Sequence, residues 1–168
     1  MDFKLNEEHR MIRRMVRDFV EKEVAPRAEE IDATDTFPED LFRRLGELGI
    51  LGLPFPEEYG GSGGDYMSLV IALEEIARAS GSLALTLDAH TSLCCEPIFL
   101  FGTEQQKRDY LVSLARGEWI GAFGLTEPQA GSDAGATRTR AVRDGDEWVI
   151  NGQKIFITNG SIADVVVI

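Results

Sequence analysis

The sequence predicts an α+β protein in which an N-terminal all-α helical domain is followed by the start of an antiparallel β domain. Apolar residues recur at helical spacing through the first two-thirds of the chain. After Gly117, short β-branched or alternating runs punctuated by Gly and Asp replace them. We therefore expect a helical domain over residues 1–117 and a partial β domain over residues 118–168.

The first two helices are marked by apolar stripes and by proline. Residues 5–30 carry apolar side chains at a period near 3.6, and Pro26 marks a bend or stop towards the end of this stretch. Pro38 opens a shorter second helix. The segment GLPFPEEYGGSGGD then predicts a loop, because it is dense in Pro and Gly.

Three more helices are expected before the β part. Residues 65–80 have an almost wholly apolar middle, and residues 82–101 have the pattern of a second buried helix, with Pro97 late in it. Thr103 begins the sequence TEQQ, which is a capping-box pattern. The helix that it starts is expected to stop near Gly117.

The β part consists of short runs separated by turn residues. These runs are WIGAFGL, ATRTRAV, EWVIN, KIFITN and ADVVVI, and the segments RDGDE and NGQ separate three of them. We therefore expect antiparallel pairing. The last residues, VVVI, form an apolar strand that needs partners, so we also expect this chain to be part of a longer polypeptide.

Composition and charge argue against several classes of protein. The chain has 17 Lys and Arg against 29 Asp and Glu, a formal net charge of −12, which disfavours binding to nucleic acid or to anionic membranes. No run reaches the roughly 18 apolar residues of a membrane helix, and MDFKLNEEHR does not have the pattern of a signal peptide. The two cysteines are adjacent, and CxxC and HExxH are missing, so we expect no disulfide framework, no metal site and a cytoplasmic location.

The stretch GLTEPQAGSDAGA, residues 124–136, is the strongest candidate for a ligand-binding loop. It holds three glycines together with the hydroxyls of Thr126 and Ser132. Glycine lets a ligand approach the backbone closely. The segment KIFITNG, residues 154–160, likewise combines an aromatic residue, a threonine, an asparagine and a glycine at a strand end. The same residues dominate ordinary β-turns, so composition alone leaves both interpretations open.

Three motifs in order resemble the acyl-CoA dehydrogenase family. The run AFGLTEPQAGSDAGA resembles the family signature, and VINGQKIFITNG is similar to its second flavin-contacting turn. The helical part, with PEEYGGSGGDY and the QK-x-x-Y-L pattern, also fits, so the resemblance covers essentially the whole chain. It implies an N-terminal helical domain and a middle β domain, with the family's C-terminal helical bundle absent from this chain.

The resemblance implies a cofactor, FAD, between the β domain and the missing bundle. The residues that match cofactor-binding positions are Phe123, Leu125, Thr126, Gly131, Ser132, Phe156, Ile157 and Thr158. Thr126 is the expected hydrogen-bond donor to the flavin, while Glu127 and Asp133 are expected to bond the loop's own amides. Many relatives carry Trp where this chain has Phe156. Ser132 also matches a substrate position, and Leu87 and His90 are expected either to line the acyl pocket or to pack in the core.

The reaction implied by the resemblance is α,β-dehydrogenation of an acyl-CoA thioester, with electrons passed to an electron-transfer flavoprotein. Short- or branched-chain substrates and a homo-oligomer, usually a tetramer, are also implied. No catalytic residue is assigned, because the family's glutamate base matches no acid here; we expect this chain alone to be inactive. Two alternatives are a non-catalytic half-protein that pairs with a C-terminal partner, and an acyl-CoA oxidase or flavin monooxygenase relative.

Overall fold

A computed structural model describes residues 4–168 as a helical part followed by four short strands, which confirms the expected fold class. The α-helices are α1 Glu7–Phe19, α2 Ala28–Thr34, α3 Glu39–Glu47, α4 Tyr66–Ala77, α5 Gly81–Asp88, α6 Glu96–Phe101, α7 Glu104–Gln106 and α8 Val112–Ala115. Wider π-helical turns span Val20–Val24, Ala89–Cys95 and Lys107–Leu111, and 3-10 turns span Ala25–Arg27, Glu57–Tyr59 and Ala134–Ala136. The strands are β1 Gly121–Phe123, β2 Arg140–Asp144, β3 Glu147–Asn151 and β4 Val165–Val167.

Two of the predicted helices contain a proline, and in both the helical path runs through it. The π-helical segment Val20–Val24 precedes Pro26, and the segment Ala89–Cys95 precedes Pro97. Proline cannot donate a backbone hydrogen bond, and its ring strikes the carbonyl four residues earlier in a regular α-helix. A change of hydrogen-bond register before the proline avoids that conflict. Pro26 therefore does not end the helical stretch, which continues into α2.

The predicted capping box at the start of α7 is confirmed. Thr103 Oγ1 accepts a hydrogen bond from the backbone N–H of Gln106 at 3.2 Å, and the Gln106 side chain accepts one from the backbone N–H of Thr103 at 2.8 Å. Two backbone donors at the helix start are thereby satisfied.

The buried apolar side chains form two clusters. The first joins α1, α3, α4 and α5, and its members include Val16, Phe42, Leu45, Ile76 and Leu87. The second surrounds Phe55 and includes Cys94, Cys95, Leu111 and Leu114, with β4 packed against it. The start of the β part therefore rests on the helices. Among the helices of residues 4–168, none has the length and apolar character needed to cross a membrane.

The strands form two separate pairs. β2 and β3 are antiparallel, as expected, with Arg140 opposite Asn151. β1 and β4 are parallel instead, with Gly121 opposite Val165, so antiparallel pairing does not hold throughout. The run KIFITN, predicted as a strand, forms a turn, because Phe156 has a backbone φ of 57° and cannot continue an extended strand.

Glycine allows β1 to approach the helical part closely. A Cβ atom at Gly121 would lie 2.7 Å from Cys94 Sγ and 3.3 Å from His90 Nδ1. The backbone N–H of Gly121 donates to that same nitrogen at 2.9 Å. β1 is therefore fixed directly on the π-helical segment Ala89–Cys95, and this contact sets where the candidate loop begins. The expected domain division at residue 117 stays a prediction.

Candidate functional site

The two segments singled out from the sequence lie side by side at the end of β1. The backbone N–H of Gly124 donates to the carbonyl of Val167 at 2.8 Å, which completes the pairing of β1 with β4. One residue after Leu125, the carbonyl of Thr126 accepts a hydrogen bond from the backbone N–H of Ile155 at 2.9 Å. Residues 123–126 and 155–158 therefore share one edge of the molecule.

A buried carboxylate closes the first loop. Glu127 is 3% exposed, and its oxygens accept hydrogen bonds from the backbone N–H groups of Arg138 at 2.6 Å and Thr139 at 2.9 Å. Lys154 Nζ lies 2.8 Å from Glu127 Oε1 and also donates to the carbonyl of Leu125 at 2.9 Å. The Lys154 ammonium, followed by the hydrogen bonds from Thr139 and Arg138, holds the pKa of Glu127 far below its usual value.

These contacts make Glu127 a structural residue, as expected from the sequence. Its oxygens are used by the chain itself and the carboxylate is closed off from solvent. The same expectation for Asp133 is wrong, because its carboxylate makes no hydrogen bond within residues 4–168. Only its backbone carbonyl takes part in the loop, by accepting from the N–H of Ala136 at 3.0 Å.

The second segment is a turn that projects an aromatic side chain outwards. Phe156 is 89% exposed, and both Phe156 and Asn159 have left-handed backbone conformations, with φ of 57° and 64°. The N–H of Gly160 donates to the carbonyl of Ile157 at 3.0 Å. Asn159 points the other way: its Nδ2 donates to the carbonyls of Thr86 at 3.2 Å and Gly121 at 3.1 Å.

Several polar groups at this edge are left open for a ligand. Across the part of the chain that the structure describes, the hydroxyls of Thr126, Ser132 and Thr158 make no hydrogen bond, and the backbone N–H groups of Leu125 and Thr126 have no acceptor. Leu125 is 42% exposed beside them. Open donors next to exposed apolar side chains fit a flat aromatic ring with a polar edge, and a flavin has this character.

The remaining cofactor candidates occupy less central places. Phe123 and Ile157 are half-buried, at the end of β1 and within the turn. Gly131 and Ser132 are exposed on the outer part of the loop, and a Cβ at Gly131 would meet nothing within 4 Å. The structure thus brings the strand end and the turn together, and it leaves Gly131 and Ser132 at the loop's surface.

Leu87 and His90 lie in the core, so the structure favours the packing alternative for both. Each is 0% exposed, and Leu87 belongs to the first core cluster. His90 Nδ1 accepts from Gly121, so Nε2 carries the proton and donates to the carbonyl of Leu114 at 3.0 Å. Burial lowers the pKa of His90 to about 4, which keeps the ring neutral. Neither side chain is open to a substrate here.

Two residues that build the site were missed from the sequence. Asn159 precedes a glycine, and Asn-Gly is typical of left-handed turn positions, so a signal was present. Lys154 offers no local signal, because its partner Glu127 lies on a distant segment.

Comparison with known proteins identifies the family to which both parts of the chain are similar. Residues 6–118 match the family model of the acyl-CoA dehydrogenase N-terminal domain, and residues 122–168 match that of the acyl-CoA dehydrogenase middle domain. The chain is 54% identical over 168 residues to a probable acyl-CoA dehydrogenase of Bacillus subtilis, and 55% identical over 168 residues to a short-chain-specific acyl-CoA dehydrogenase of Clostridium acetobutylicum. In both cases the aligned region covers 100% of this chain and 44% of the relative, so this chain spans less than half the length of each relative.

Solved structures show the same fold. Butyryl-CoA dehydrogenase from Megasphaera elsdenii superposes with a TM-score of 0.93 at 45% identity, over 99% of this chain and 44% of that one. A chain from work on the electron transferring flavoprotein of Acidaminococcus fermentans superposes with a TM-score of 0.96 at 49% identity. The match covers 99% of this chain and 44% of that one. An acyl-CoA dehydrogenase of Bacillus anthracis complexed with FAD superposes with a TM-score of 0.92 at 41% identity. The match covers 98% of this chain and 29% of that one.

Proposed function

The chain belongs to the acyl-CoA dehydrogenase family, and from this premise we propose that it supplies part of the FAD and acyl-CoA site of an enzyme that dehydrogenates acyl-CoA thioesters between the α and β carbons. Relatives of the same family that are acyl-CoA dehydrogenases support this enzyme class. The observation that carries the proposal is the edge where residues 123–126 meet residues 155–158. There the carboxylate of Glu127 is fully hydrogen-bonded within the chain, whereas the hydroxyl of Thr126 and the N–H groups of Leu125 and Thr126 have no partner within the described residues.

We assign the flavin-facing roles to the open groups of this edge. An electron-rich edge of the flavin ring would accept hydrogen bonds from the Leu125 and Thr126 amides and from the Thr126 hydroxyl. The side chain of Phe156 would pack against the face of the ring. The FAD complex of the Bacillus anthracis relative supports this cofactor. FAD, when bound, supplies the acceptor for the hydride that leaves the β carbon.

The substrate and the electron acceptor are proposed from the relatives. The Clostridium acetobutylicum relative is described as short-chain specific and the Megasphaera elsdenii structure as butyryl-CoA dehydrogenase, so we propose a short acyl chain here. The exposed hydroxyl of Ser132 is free to contact the acyl-CoA. An electron-transfer flavoprotein is the proposed electron acceptor, in line with the Acidaminococcus fermentans structure. We place the catalytic base outside the residues described, and propose a cytoplasmic homo-oligomer.

The proposal is tested with the polypeptide that carries this chain and its Thr126→Val variant. Valine keeps the shape of threonine and removes the hydroxyl, so we expect flavin reduction by butyryl-CoA under anaerobic conditions to slow by about tenfold or more. A hydrogen bond to a charged group contributes about 1.5–3 kcal/mol. Absorbance in the visible region measures the rate.

Thr137→Val is the matched control, because Thr137 is exposed and lies outside both contact segments. An unchanged rate for Thr126→Val, or an equal loss in Thr137→Val, would remove Thr126 from the flavin site. If the wild-type polypeptide takes up no FAD at all, the non-catalytic alternative replaces the proposed function.

A further inference from the structure

We propose that Asn159 is the positioning residue of the flavin-contacting turn, and that it acts by anchoring the turn to the peptide group of Gly121 and to helix α5. The inference rests on the proposed function, since Phe156 and Thr158 matter only if the turn meets the flavin. Asn159 itself faces away from the open edge and towards the helices.

The geometry of Asn159 is specific to its side chain. One amide nitrogen donates to two carbonyls from different parts of the chain, that of Thr86 at 3.2 Å and that of Gly121 at 3.1 Å. The residue also sits at φ of 64°, a conformation that asparagine tolerates better than most residues. Both features belong to Asn159 alone.

The anchor is continued by hydrogen bonds deeper in the molecule. The Gly121 carbonyl accepts from Asn159, the Gly121 N–H donates to His90 Nδ1 at 2.9 Å, and His90 Nε2 donates to the carbonyl of Leu114 at 3.0 Å. Because His90 and Gly121 are buried, the two hydrogen bonds of His90 are shielded from water. The turn is thus tied to the fixed interior formed by α5, α8 and β1.

The contact residues of the turn are held at both ends. At the start, the N–H of Ile155 donates to the carbonyl of Thr126 at 2.9 Å. At the end, Asn159 makes its two bonds, and the contact residues lie between these anchors. Beside this anchor, a cavity of about 340 Å³ is lined in part by Phe37, Leu85, Thr158 and Asn159 itself. Packing there is therefore incomplete, and the hydrogen bonds of Asn159 fix the position.

Two substitutions separate the amide donors from the backbone conformation. Asn159→Asp keeps the shape and replaces the donor by an oxygen facing two carbonyls, whereas Asn159→Gly keeps the left-handed conformation and removes the side chain. Asn151→Asp is the matched control for charge, because Asn151 is exposed and its side chain makes no hydrogen bond within the described residues.

The first readout needs no flavin. Hydrogen exchange of the chain, followed by mass spectrometry, should quicken by about tenfold in peptides covering residues 155–162 of both Asn159 variants, while α4 peptides exchange as in the wild type. Asn151→Asp should match the wild type throughout. Wild-type exchange at residues 155–162 in both Asn159 variants would overturn the anchor, and faster exchange in the aspartate variant alone would assign the effect to charge repulsion and overturn it as well.

The second readout uses FAD as the probe, with the polypeptide that carries this chain. Both Asn159 variants should bind FAD about tenfold more weakly and shift the visible band of the bound flavin, because the aromatic wall has moved. Wild-type affinity and an unshifted band would overturn the positioning role. If the wild type itself binds no FAD, the proposed function fails while the exchange experiment still decides whether Asn159 anchors the turn.

Discussion

At the scale of single residues, Thr126 and Glu127 are neighbours with opposite environments. The hydroxyl of Thr126 has no partner within residues 4–168, whereas the carboxylate of Glu127 is buried and bonded to Arg138, Thr139 and Lys154. A carboxylate beside an electron-rich flavin ring would be repelled by the ring. The burial of the Glu127 carboxylate against Lys154 prevents that contact. The loop can therefore carry Glu127 beside Thr126 without presenting that carboxylate at its open edge.

Replacing Glu127 by glutamine should loosen the loop at the segment it closes. Glu127→Gln removes the charge that pairs with Lys154 and offers an N–H where the wild type offers an acceptor. We expect hydrogen exchange at the Arg138 and Thr139 amides to quicken by about tenfold. Glu147→Gln, which neutralises an exposed acid on β3, should leave these amides unchanged; equal effects in the two variants would contradict the role of Glu127.

His90 should make the stability of the chain depend on pH. Burial lowers its folded-state pKa to about 4 from the ordinary 6.5, so the unfolded state binds the proton first as pH falls. The stabilisation is fully present above pH 6.5 and is lost as pH falls from there towards 4. This shift amounts to about 3 kcal/mol of unfolding free energy.

The measurement is urea unfolding of wild type and His90→Gln between pH 4 and 7. The variant lacks the titrating group, so it should lose less unfolding free energy than the wild type over this range. Parallel pH curves for wild type and His90→Gln would show that His90 is not the group responsible.

At the scale of elements, the close contact between β1 and the π-helical segment Ala89–Cys95 determines where the site lies. The segment presents His90 and Cys94 to β1, and Gly121 admits both. A regular α-helix would present different side chains to the strand, because a π-turn inserts one extra residue and shifts the face that follows.

Gly121→Ala should destabilise the chain, because the added methyl group would collide with Cys94 at the contact between β1 and the segment Ala89–Cys95. The new Cβ would lie 2.7 Å from Cys94 Sγ and 2.8 Å from its Cβ, so either the strand or the helical segment must move. Overpacking of this kind costs about 1–3 kcal/mol, which urea unfolding would measure. Gly81→Ala is the control, because nothing lies within 4 Å of its Cβ position; a loss of the same size there would disconnect the cost from the contact.

The elements also show what the sequence can and cannot predict. Helix starts were predictable where a side chain forms a local cap, as at Thr103, and the strand end at Thr126 was predictable from a contiguous motif. The π-helical turns were not, because their residues have ordinary helix propensity and only hydrogen-bond register differs. The pairing of β1 with β4 and the Lys154–Glu127 ion pair join distant segments, for which periodicity carries no information.

At the scale of the whole molecule, the helical part and the β part differ in burial. The two core clusters lie among the helices, with β4 at their edge, whereas every residue of β2 and β3 is exposed. Trp148 is 64% exposed on this hairpin. An isolated two-stranded hairpin is marginally stable, so the helices and the β1–β4 pair account for most of the stability of the described residues.

The parallel pairing of β1 with β4 has a consequence for the order in which the chain acquires its shape during synthesis. The contacts among the helices, including those between α1 and α4, join residues that precede β1, so they can form before β4 has been made. β1 must wait for β4, which leaves the ribosome only after the whole hairpin and the turn at Phe156–Asn159. The segment that would face the cofactor lies inside the stretch that this late pairing encloses. A nascent chain would therefore display a finished helical part well before the proposed flavin-contacting turn is fixed in place.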